Sequence, residues 1–282
     1  MSTLKPSDIV RKVSTVSSLP AVYQRINAAV NNPRSSLSDV SSIIREDVGL
    51  TTRLLKLVNS VFFGFPSKID SISAACVIVG TTQLRSLALA TSVVGVFRER
   101  QVSGLDINQF WEHSIGCAMA SSAIARQAGD RDAERFFVCG LLHDVGRLIM
   151  LQELKDEAWE AVEQARRQNR SLPEVEQEIF GFTHADVGGE LLSAWKLPPS
   201  LTEVIRYHHQ PMKCIGYPVE SATTHFGDVI AHALGLGFSG SDLVPSVQPV
   251  VLDRLRLTPE RLQFVADDVS SQFEEMVAMI LG

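Results

Sequence analysis

The chain has 282 residues, 45% of them hydrophobic, and a formal net charge of −6 at pH 7. This length allows one large domain or two modest ones, with enough apolar residues to bury a core without added cross-links. The acidic balance, together with the lack of any block of five or more basic residues, argues against nucleic-acid binding as the main activity.

From residue 4 to residue 96 the sequence predicts helices joined by short turns, since no alternating stretch of strand length occurs between turn signals. Ser36 and Asp39 form a capping-box pattern at the start of one helix. Gly49 is expected to interrupt the next apolar stretch, and Asn59 to bond free backbone groups where that stretch ends. The predicted helices cover residues 4–13, 20–31, 36–47, 50–59, 71–79 and 81–96.

The second half is also predicted to be helical, and we place the domain boundary between residues 100 and 101. Residues 1–100 then form an N-terminal helical subdomain, and residues 101–282 form a second one that ends in a long helix. Thr183 is expected to cap a helix that begins at His184. The last helix, opened by Pro259, carries an apolar stripe that packs on the core or on a second copy in a homodimer.

Residues 135–151 are predicted to form one apolar helix that carries His143 and Asp144 side by side. A buried carboxylate beside a histidine needs a partner, and a divalent metal satisfies both groups at once. The alternative is a histidine bonded to a backbone carbonyl and an aspartate paired with Arg147. For an isolated pair this alternative is the more frequent, so the remaining histidines decide the interpretation.

Further residues of metal-ligand type lie on separate predicted helices, which is how helical bundles build imidazole and carboxylate sites. The full candidate set is His113, His143, Asp144, His184, His208, His209 and Asp228. His225 and His232 flank Asp228 at helical spacing. A structural role is the favoured interpretation for these two, with a supporting or substitute-ligand role as the alternative.

The order of these residues resembles the HD superfamily of metal-dependent phosphohydrolases, and more closely the HDOD domain, a related output domain of bacterial signalling. The resemblance covers most of the chain, from Leu19 to about residue 235. It implies an all-α, multi-helix HD-like bundle with an N-terminal helical subdomain. The segments that carry it are LPAVYQRI, LLKLVNSVFFG, KIDSISAACVIVG, LRSLALA, FWEHSIGCAMAS, GLLHDVGRLIM, FTHADVGGELLSAWKLP and IRYHH.

Matching the chain to the related HD-GYP phosphodiesterases implies a ligand role for each candidate. His113 matches the first ligand histidine, His143 and Asp144 match the HD pair, and His184 matches the single histidine of the next helix. His208 and His209 match the double histidine, and Asp228 the final aspartate.

The chain also departs from the HD-GYP pattern. Gln210 and Lys213 replace acidic residues, Cys214 replaces a glycine, and Gln109 stands where those enzymes can offer a glutamate. These departures weigh against phosphodiesterase activity more than against metal binding.

The implied cofactor is a pair of divalent metal ions, either iron or manganese, with zinc as a competitor. Asp144 is a candidate catalytic residue and is expected to bridge the two ions. Arg147 lies one turn after His143 and is a candidate catalytic residue that meets a phosphate oxygen with both terminal nitrogens. An ion pair between helices is an equally weighted interpretation of Arg147.

Three hypotheses follow. The favoured one is an HDOD signalling output protein with a retained metal site, whose partner is a signalling protein or a nucleotide-type ligand. The second is an active phosphohydrolase acting on a nucleotide or cyclic dinucleotide, so the sequence leaves enzymatic activity open. The third is a metal-free helical scaffold, which is disfavoured because it leaves many buried polar groups to satisfy.

A cytoplasmic location is expected, without membrane association. The N-terminus lacks a signal-peptide pattern, and no apolar run approaches the length that spans a bilayer. The cysteines are scattered without a CxxC pair and fit reduced residues of a cytosolic protein. They are Cys76, Cys117, Cys139 and Cys214.

Overall fold

A computed structural model of the chain describes residues 4–13, 19–65, 67–98, 102, 104–130, 132–247 and 249–282. The regular structure of these residues is helical throughout, with no strand among them, so the predicted all-α class is confirmed. A 3-10 turn covers Pro211–Lys213. The helices are α1 (Pro6–Lys12), α2 (Ala21–Asn31), α3 (Leu37–Arg45), α4 (Val48–Val58), α5 (Ile72–Ile78), α6 (Thr81–Arg98), α7 (Ile107–Gln127), α8 (Ala133–Leu142), α9 (Val145–Glu153), α10 (Asp156–Gln168), α11 (Leu172–Phe180), α12 (His184–Ala194), α13 (Pro199–Tyr207), α14 (Pro218–Ala233), α15 (Pro249–Leu255) and α16 (Pro259–Leu281).

The chain divides into two compact units. The first unit contains residues 1–17 and 100–270, and the second contains residues 18–99 and 271–282. The expected division at residue 100 stays a prediction about domains. The central boundary of the compact units lies one residue earlier, between residues 99 and 100, and residues 1–17 and 271–282 group with the opposite halves. All the candidate metal ligands lie in the first unit.

Local signals in the second unit produce the expected helix ends. Ser36 Oγ accepts a bond from the backbone N–H of Asp39 at 3.2 Å, and the Asp39 carboxylate accepts one from Ser36 N–H at 2.8 Å. The predicted capping box is therefore confirmed. Asn59 Nδ2 donates to the carbonyls of Leu55 and Ile69, each at 2.7 Å, as expected for a side chain that closes a helix.

The expected interruption at Gly49 is wrong, because this glycine lies inside α4. The break falls earlier, at Asp47. The Asp47 carboxylate accepts a bond from Leu50 N–H at 2.8 Å and so caps the helix from Val48 onward. A good N-cap outweighs the modest cost of a glycine in the first turn.

The single helix expected over residues 135–151 is also wrong. Helix α8 ends at Leu142 and α9 begins at Val145, with His143 as the C-cap and Asp144 as the N-cap between them. The cause is a local competition. His143 Nδ1 donates to the Gly140 carbonyl at 2.7 Å, which the backbone of a continuous helix would otherwise use. The imidazole and the carboxylate therefore both project from a break between two helices.

Close contacts between helices in the first unit depend on two glycines. A Cβ atom built on Gly227 would lie 2.2 Å from Ser121 Oγ, so α14 approaches α7 closely at this point. A Cβ atom on Gly146 would lie 2.0 Å from the His184 carbonyl oxygen and 2.4 Å from the Gly188 nitrogen. Because these last two are backbone atoms, α9 and α12 can pack this way only with glycine at residue 146.

We expect Gly146→Ala to lower the free energy of unfolding by about 1–3 kcal/mol, the usual cost of overpacking a core contact. Urea denaturation in the presence of EDTA measures this change without a metal contribution. The matched control is Gly95→Ala in α6, where no heavy atom lies within 4 Å of the built Cβ. That variant should gain up to about 1 kcal/mol from helix propensity. Equal stability of Gly146→Ala and wild type would contradict the tight packing of α9 on α12.

Candidate metal centre

The structure collects all seven candidate ligands into two groups of donor atoms. Within each group, one ligand atom from each residue lies within 4.8 Å of the others. Group A is defined by Asp144, His184, His208 and His209, and group B by His113, His143 and Asp228. Six of the seven side chains are buried, and His209 is half-buried.

Asp144 stands between the two groups. Its Oδ1 atom lies 3.1 Å from His184 Nε2 and 3.7 Å from His208 Nε2, both in group A. Its Oδ2 atom lies 3.4 Å from His143 Nε2 in group B. Each oxygen of this one carboxylate therefore faces the imidazoles of a different group.

Asp228 organises group B in a similar way. Its Oδ1 atom lies 3.1 Å from His113 Nε2 and 3.6 Å from His143 Nε2. Helix α14 supplies the carboxylate, α7 supplies His113, and the break after α8 supplies His143. Donors far apart in sequence thus meet around one oxygen atom.

Three imidazoles are held in orientation by hydrogen bonds from their Nδ1 atom, which points away from the centre. His143 Nδ1 donates to the Gly140 carbonyl at 2.7 Å, and His208 Nδ1 donates to the Ile205 carbonyl at 2.6 Å. His184 Nδ1 donates to a Glu176 carboxylate oxygen at 2.6 Å. Because these acceptors fix the proton on Nδ1, the neutral ring directs the Nε2 lone pair into the centre, as in histidines that bind metals.

Glu176 is a functional candidate that the sequence interpretation missed. Its side chain is 3% exposed, and it also accepts a bond from the backbone N–H of His184 at 2.9 Å. The available signal was its position in α11, where it follows the buried Val175 and lies four residues after the buried Leu172. An acidic residue on the apolar face of a helix needs a buried partner.

Several buried atoms of the centre have no hydrogen-bond partner among the described residues. They include His143 Nε2, His208 Nε2 and Asp144 Oδ1. Leaving a buried polar atom unpaired costs about 1–3 kcal/mol, so a native cluster of three such atoms calls for an explanation. A divalent cation fits, because it accepts electron pairs from imidazole nitrogen and carboxylate oxygen together. The residues present therefore form a cluster able to bind metal.

The electrostatics suit the same interpretation. Burial opposes ionisation of Asp144, but the charges of Arg147 and His143 hold the pKa of this carboxyl well below its usual value. Burial lowers the pKa of His208 to about 3, so this imidazole is neutral near pH 7. Burial likewise lowers the pKa of His209. Group A thus combines an anionic oxygen donor, Asp144, with at least two neutral nitrogen donors, His208 and His209.

Arg147 is engaged by several partners at once. One terminal nitrogen donates to the Ser239 carbonyl at 2.6 Å and lies 3.0 Å from Asp144 Oδ2. The other terminal nitrogen donates to His184 Nε2 at 3.0 Å. Arg147 is buried, and the pairing of Asp144 with Arg147 expected in the metal-free alternative is present in the structure as a contact within the first turn of α9. The predicted contact with a phosphate oxygen stays a prediction.

A cavity of about 880 Å³ borders the centre within the first unit. Its wall includes Arg147, His209, His225 and His232 on the side of the centre, and residues 243–246 elsewhere. Cavities of roughly 300–1,000 Å³ hold small organic ligands in proteins. The cavity therefore has the volume of a small-ligand site and borders the half-buried face of the centre.

The helical fold and the buried imidazole and carboxylate cluster define a class of helical proteins with an HD-type metal-ligand set. A model of the HDOD domain family matches residues 16–211, and the chain belongs to this family. The resemblance seen in the sequence is thereby confirmed.

Solved structures of similar proteins support the fold, and one protein is similar over almost the whole sequence. An uncharacterized protein of Treponema pallidum (strain Nichols) is 27% identical over 276 residues, which is 97% of this chain and 52% of that protein. The chain thus spans about half the length of this relative. An HDOD domain protein of unknown function from Geobacter sulfurreducens has a TM-score of 0.74 at 24% identity, over 98% of this chain and 97% of that one. A candidate phosphohydrolase from Shewanella amazonensis SB2B has a TM-score of 0.72 at 23% identity, over 96% and 97% of the two chains.

Within the described part of the chain, none of the helices combines the length and the apolar composition needed to cross a bilayer.

We expect Glu176→Gln to weaken metal binding by about 10–100-fold, the usual effect of removing the partner that orients a ligating histidine. The amide keeps the shape of the side chain but withdraws the negative charge that holds the His184 proton on Nδ1. Titration calorimetry with Mn²⁺ measures the affinity. The control is Glu178→Gln, two residues further along α11, where the carboxylate is exposed and pairs with Arg170. Equal affinities of the two variants would contradict the role of Glu176.

Metal binding is expected to release protons near neutral pH. Burial opposes protonation of His143, but the neighbouring Asp144 raises the pKa of this imidazole well above its usual value, so the metal-free protein carries a proton there at pH 7. A metal takes the neutral ring, so affinity rises with pH until it passes the pKa of metal-free His143 and falls as the pH is lowered.

Calorimetry in two buffers that differ in heat of ionisation, both at pH 7, counts the protons released on addition of Mn²⁺. Release of about one proton or more per protein is the expected result. Binding that releases none would show that His143 is neutral before the metal enters.

Proposed function

We propose that this chain is a signal-transduction output protein of the HDOD family that holds two divalent metal ions, one in each donor group. The observation that carries the proposal is the position of the Asp144 carboxylate, which directs one oxygen to group A and the other to group B. A bridging carboxylate is the usual link between two neighbouring metal ions in helical proteins.

The donor types favour iron or manganese, with zinc as a competitor. His143 and His208 are held with Nε2 toward the centre by backbone carbonyls, and Glu176 holds His184 in the same way. These contacts orient the donors before any ion arrives, which lowers the cost of ordering them on binding. When bound, the divalent ions would supply Lewis acidity at the cavity wall.

The proposed ligand is a nucleotide-type molecule or a segment of a signalling protein that enters the cavity of about 880 Å³. The half-buried His209 belongs to group A and lines this cavity, so occupancy of the centre and occupancy of the cavity share a residue. We place this activity in the bacterial cytoplasm, which agrees with four buried and unpaired cysteines.

A second candidate function is hydrolysis of a nucleotide or a cyclic dinucleotide. The observation that favours it is the direct contact between the cavity and the centre, since a substrate phosphate could reach the donor groups. The phosphohydrolase name of a structurally similar protein from Shewanella amazonensis SB2B points the same way. Against it stand Gln210 and Lys213 in place of acidic residues, and the engagement of Arg147 by Ser239 and Asp144.

Metal analysis of protein purified without oxygen, paired with hydrolysis assays, separates the two candidates. Wild type is expected to retain about two ions per chain, the number that the two donor groups define. His143→Ala should lose at least one, because this imidazole contacts both Asp144 and Asp228. The assays use bis(p-nitrophenyl) phosphate and cyclic dinucleotides.

Two ions without turnover support the output module. If wild type binds two ions and hydrolyses a substrate, and if His143→Ala abolishes this turnover, the hydrolase function would replace the output module as the conclusion. Wild-type protein that retains no ion under these conditions would overturn both functions.

A further inference from the structure

Resting on the proposed two-ion centre, we infer that His232 is a further protein ligand of group B, so that each donor group would contain three imidazoles and one aspartate, with Asp144 of group A also bridging to the ion of group B. His232 lies four residues after Asp228 in α14, and therefore on the same face of that helix. Its Nε2 atom lies 3.3 Å from Asp228 Oδ1.

His232 is not among the three residues whose donor atoms lie mutually within 4.8 Å, but its Nε2 atom approaches the same Asp228 oxygen as the two histidines of group B. Three imidazole nitrogens from different elements approach the same oxygen, at 3.1 Å for His113, 3.3 Å for His232 and 3.6 Å for His143. The ring centres of His113 and His232 are 4.4 Å apart, with planes inclined at 49°, so the two rings converge on the oxygen from neighbouring directions. Convergence of nitrogen donors on an anionic oxygen is the arrangement that a divalent cation stabilises.

The composition of group A supports the assignment. Group A has one aspartate and three histidines, whereas group B as defined by the sequence has one aspartate and two. With His232 the two groups become equivalent in donor type and number. Four nitrogen and oxygen donors form a complete protein shell for a metal such as zinc, and leave room for further ligands on iron or manganese.

His232 has a counterpart in group A with respect to the cavity. His209 of group A and His232 both line the cavity, and the side chain of His232 is 9% exposed. Each group would thus present one imidazole at the cavity wall and keep its other donors buried. A ligand in the cavity could then approach both ions along the same wall.

His225 provides a matched control on the same helix. It lies three residues before Asp228, it is buried, and it lines the same cavity. Its Nδ1 atom donates to the His208 carbonyl at 2.9 Å, and the histidines that form ion pairs with the Asp228 carboxylate within 4 Å are His113, His143 and His232. His225→Ala therefore shows the effect of removing an imidazole near the centre that is not a proposed ligand.

The experiment compares wild type, His232→Ala and His225→Ala, each stripped with EDTA, reloaded with Mn²⁺ and passed through a desalting column. Wild type and His225→Ala should retain two ions per chain, since both keep every donor of the two groups. His232→Ala should retain one ion, or bind the second ion at least about 10-fold more weakly by calorimetry. Removing a ligand should weaken metal binding at least as much as removing a residue that orients a ligand. Circular dichroism of the stripped proteins checks that the variants fold.

A measurement on wild-type protein alone covers the case in which His232→Ala does not fold. The chain has seven histidines. In cobalt(II)-loaded protein labelled with ¹⁵N-histidine, the assignment predicts six imidazoles with large contact shifts, and only His225 without one. The imidazole of His232 should be among the six.

Each outcome decides the assignment. One lost ion in His232→Ala, or six contact-shifted imidazoles, supports it. Two ions retained in His232→Ala with the affinity of His225→Ala, or only five shifted imidazoles, would overturn the ligand role of His232 and leave the two-ion function intact. Fewer than two ions in wild type would overturn the two-ion function, and this assignment with it.

Discussion

The first unit is organised around a buried anion. The Asp144 carboxylate is 1% exposed and lies among the imidazoles of both donor groups, with the Arg147 guanidinium 3.0 Å from its second oxygen. An ionised carboxylate in an apolar interior is very unfavourable without such partners. The surrounding helices are therefore constrained to deliver nitrogen donors and positive charge to this one position. The break between α8 and α9 places the carboxylate there.

Several of the donors are positioned by helix ends. His143 and His208 are the C-caps of α8 and α13, and His184 begins α12. A helix C-terminus leaves carbonyl groups without backbone partners. In both C-caps the imidazole Nδ1 takes one of these carbonyls and turns its Nε2 to the centre. The contact that ends the helix is thus the same contact that orients the ligand, which links the local fold to the chemistry of the site.

The sequence was most informative where a signal is local. The cap of Thr183 on α12 is present as expected, with Thr183 Oγ1 accepting from the backbone N–H of Asp186 at 3.4 Å, because both partners lie within one helical turn. The break at His143 was missed because a periodic apolar pattern cannot show that a side chain will compete with the backbone for the Gly140 carbonyl. The family resemblance supplied the order of the candidate ligands, but not the split of those ligands into two groups.

Contacts between residues distant in sequence could not be predicted, for a different reason. Ser239 accepts from Arg147 across 92 residues, and it falls in a glycine- and serine-rich segment with no periodic pattern. Glu176 supports His184 from a separate helix, and only its burial on an otherwise apolar face sets it apart from the other acidic residues of α11. Such pairs depend on how the helices pack, which single-sequence patterns do not specify.

Arg147 joins the centre to the wall of the cavity. The same guanidinium contacts Asp144 and His184 on one side and Ser239 on the other, and Ser239 leads into the segment at residues 243–246 that lines the cavity. Because Arg147 is buried, a displacement of Asp144 or His184 cannot be taken up by solvent and must alter its bonds to Ser239. The proposed output function needs such a physical connection, since a ligand in the cavity would influence the centre only through contacts that differ between two states. In that proposal the hydrogen bonds of Arg147 to Ser239 and His184, with its contact to Asp144, are the physical link between the cavity wall and the centre.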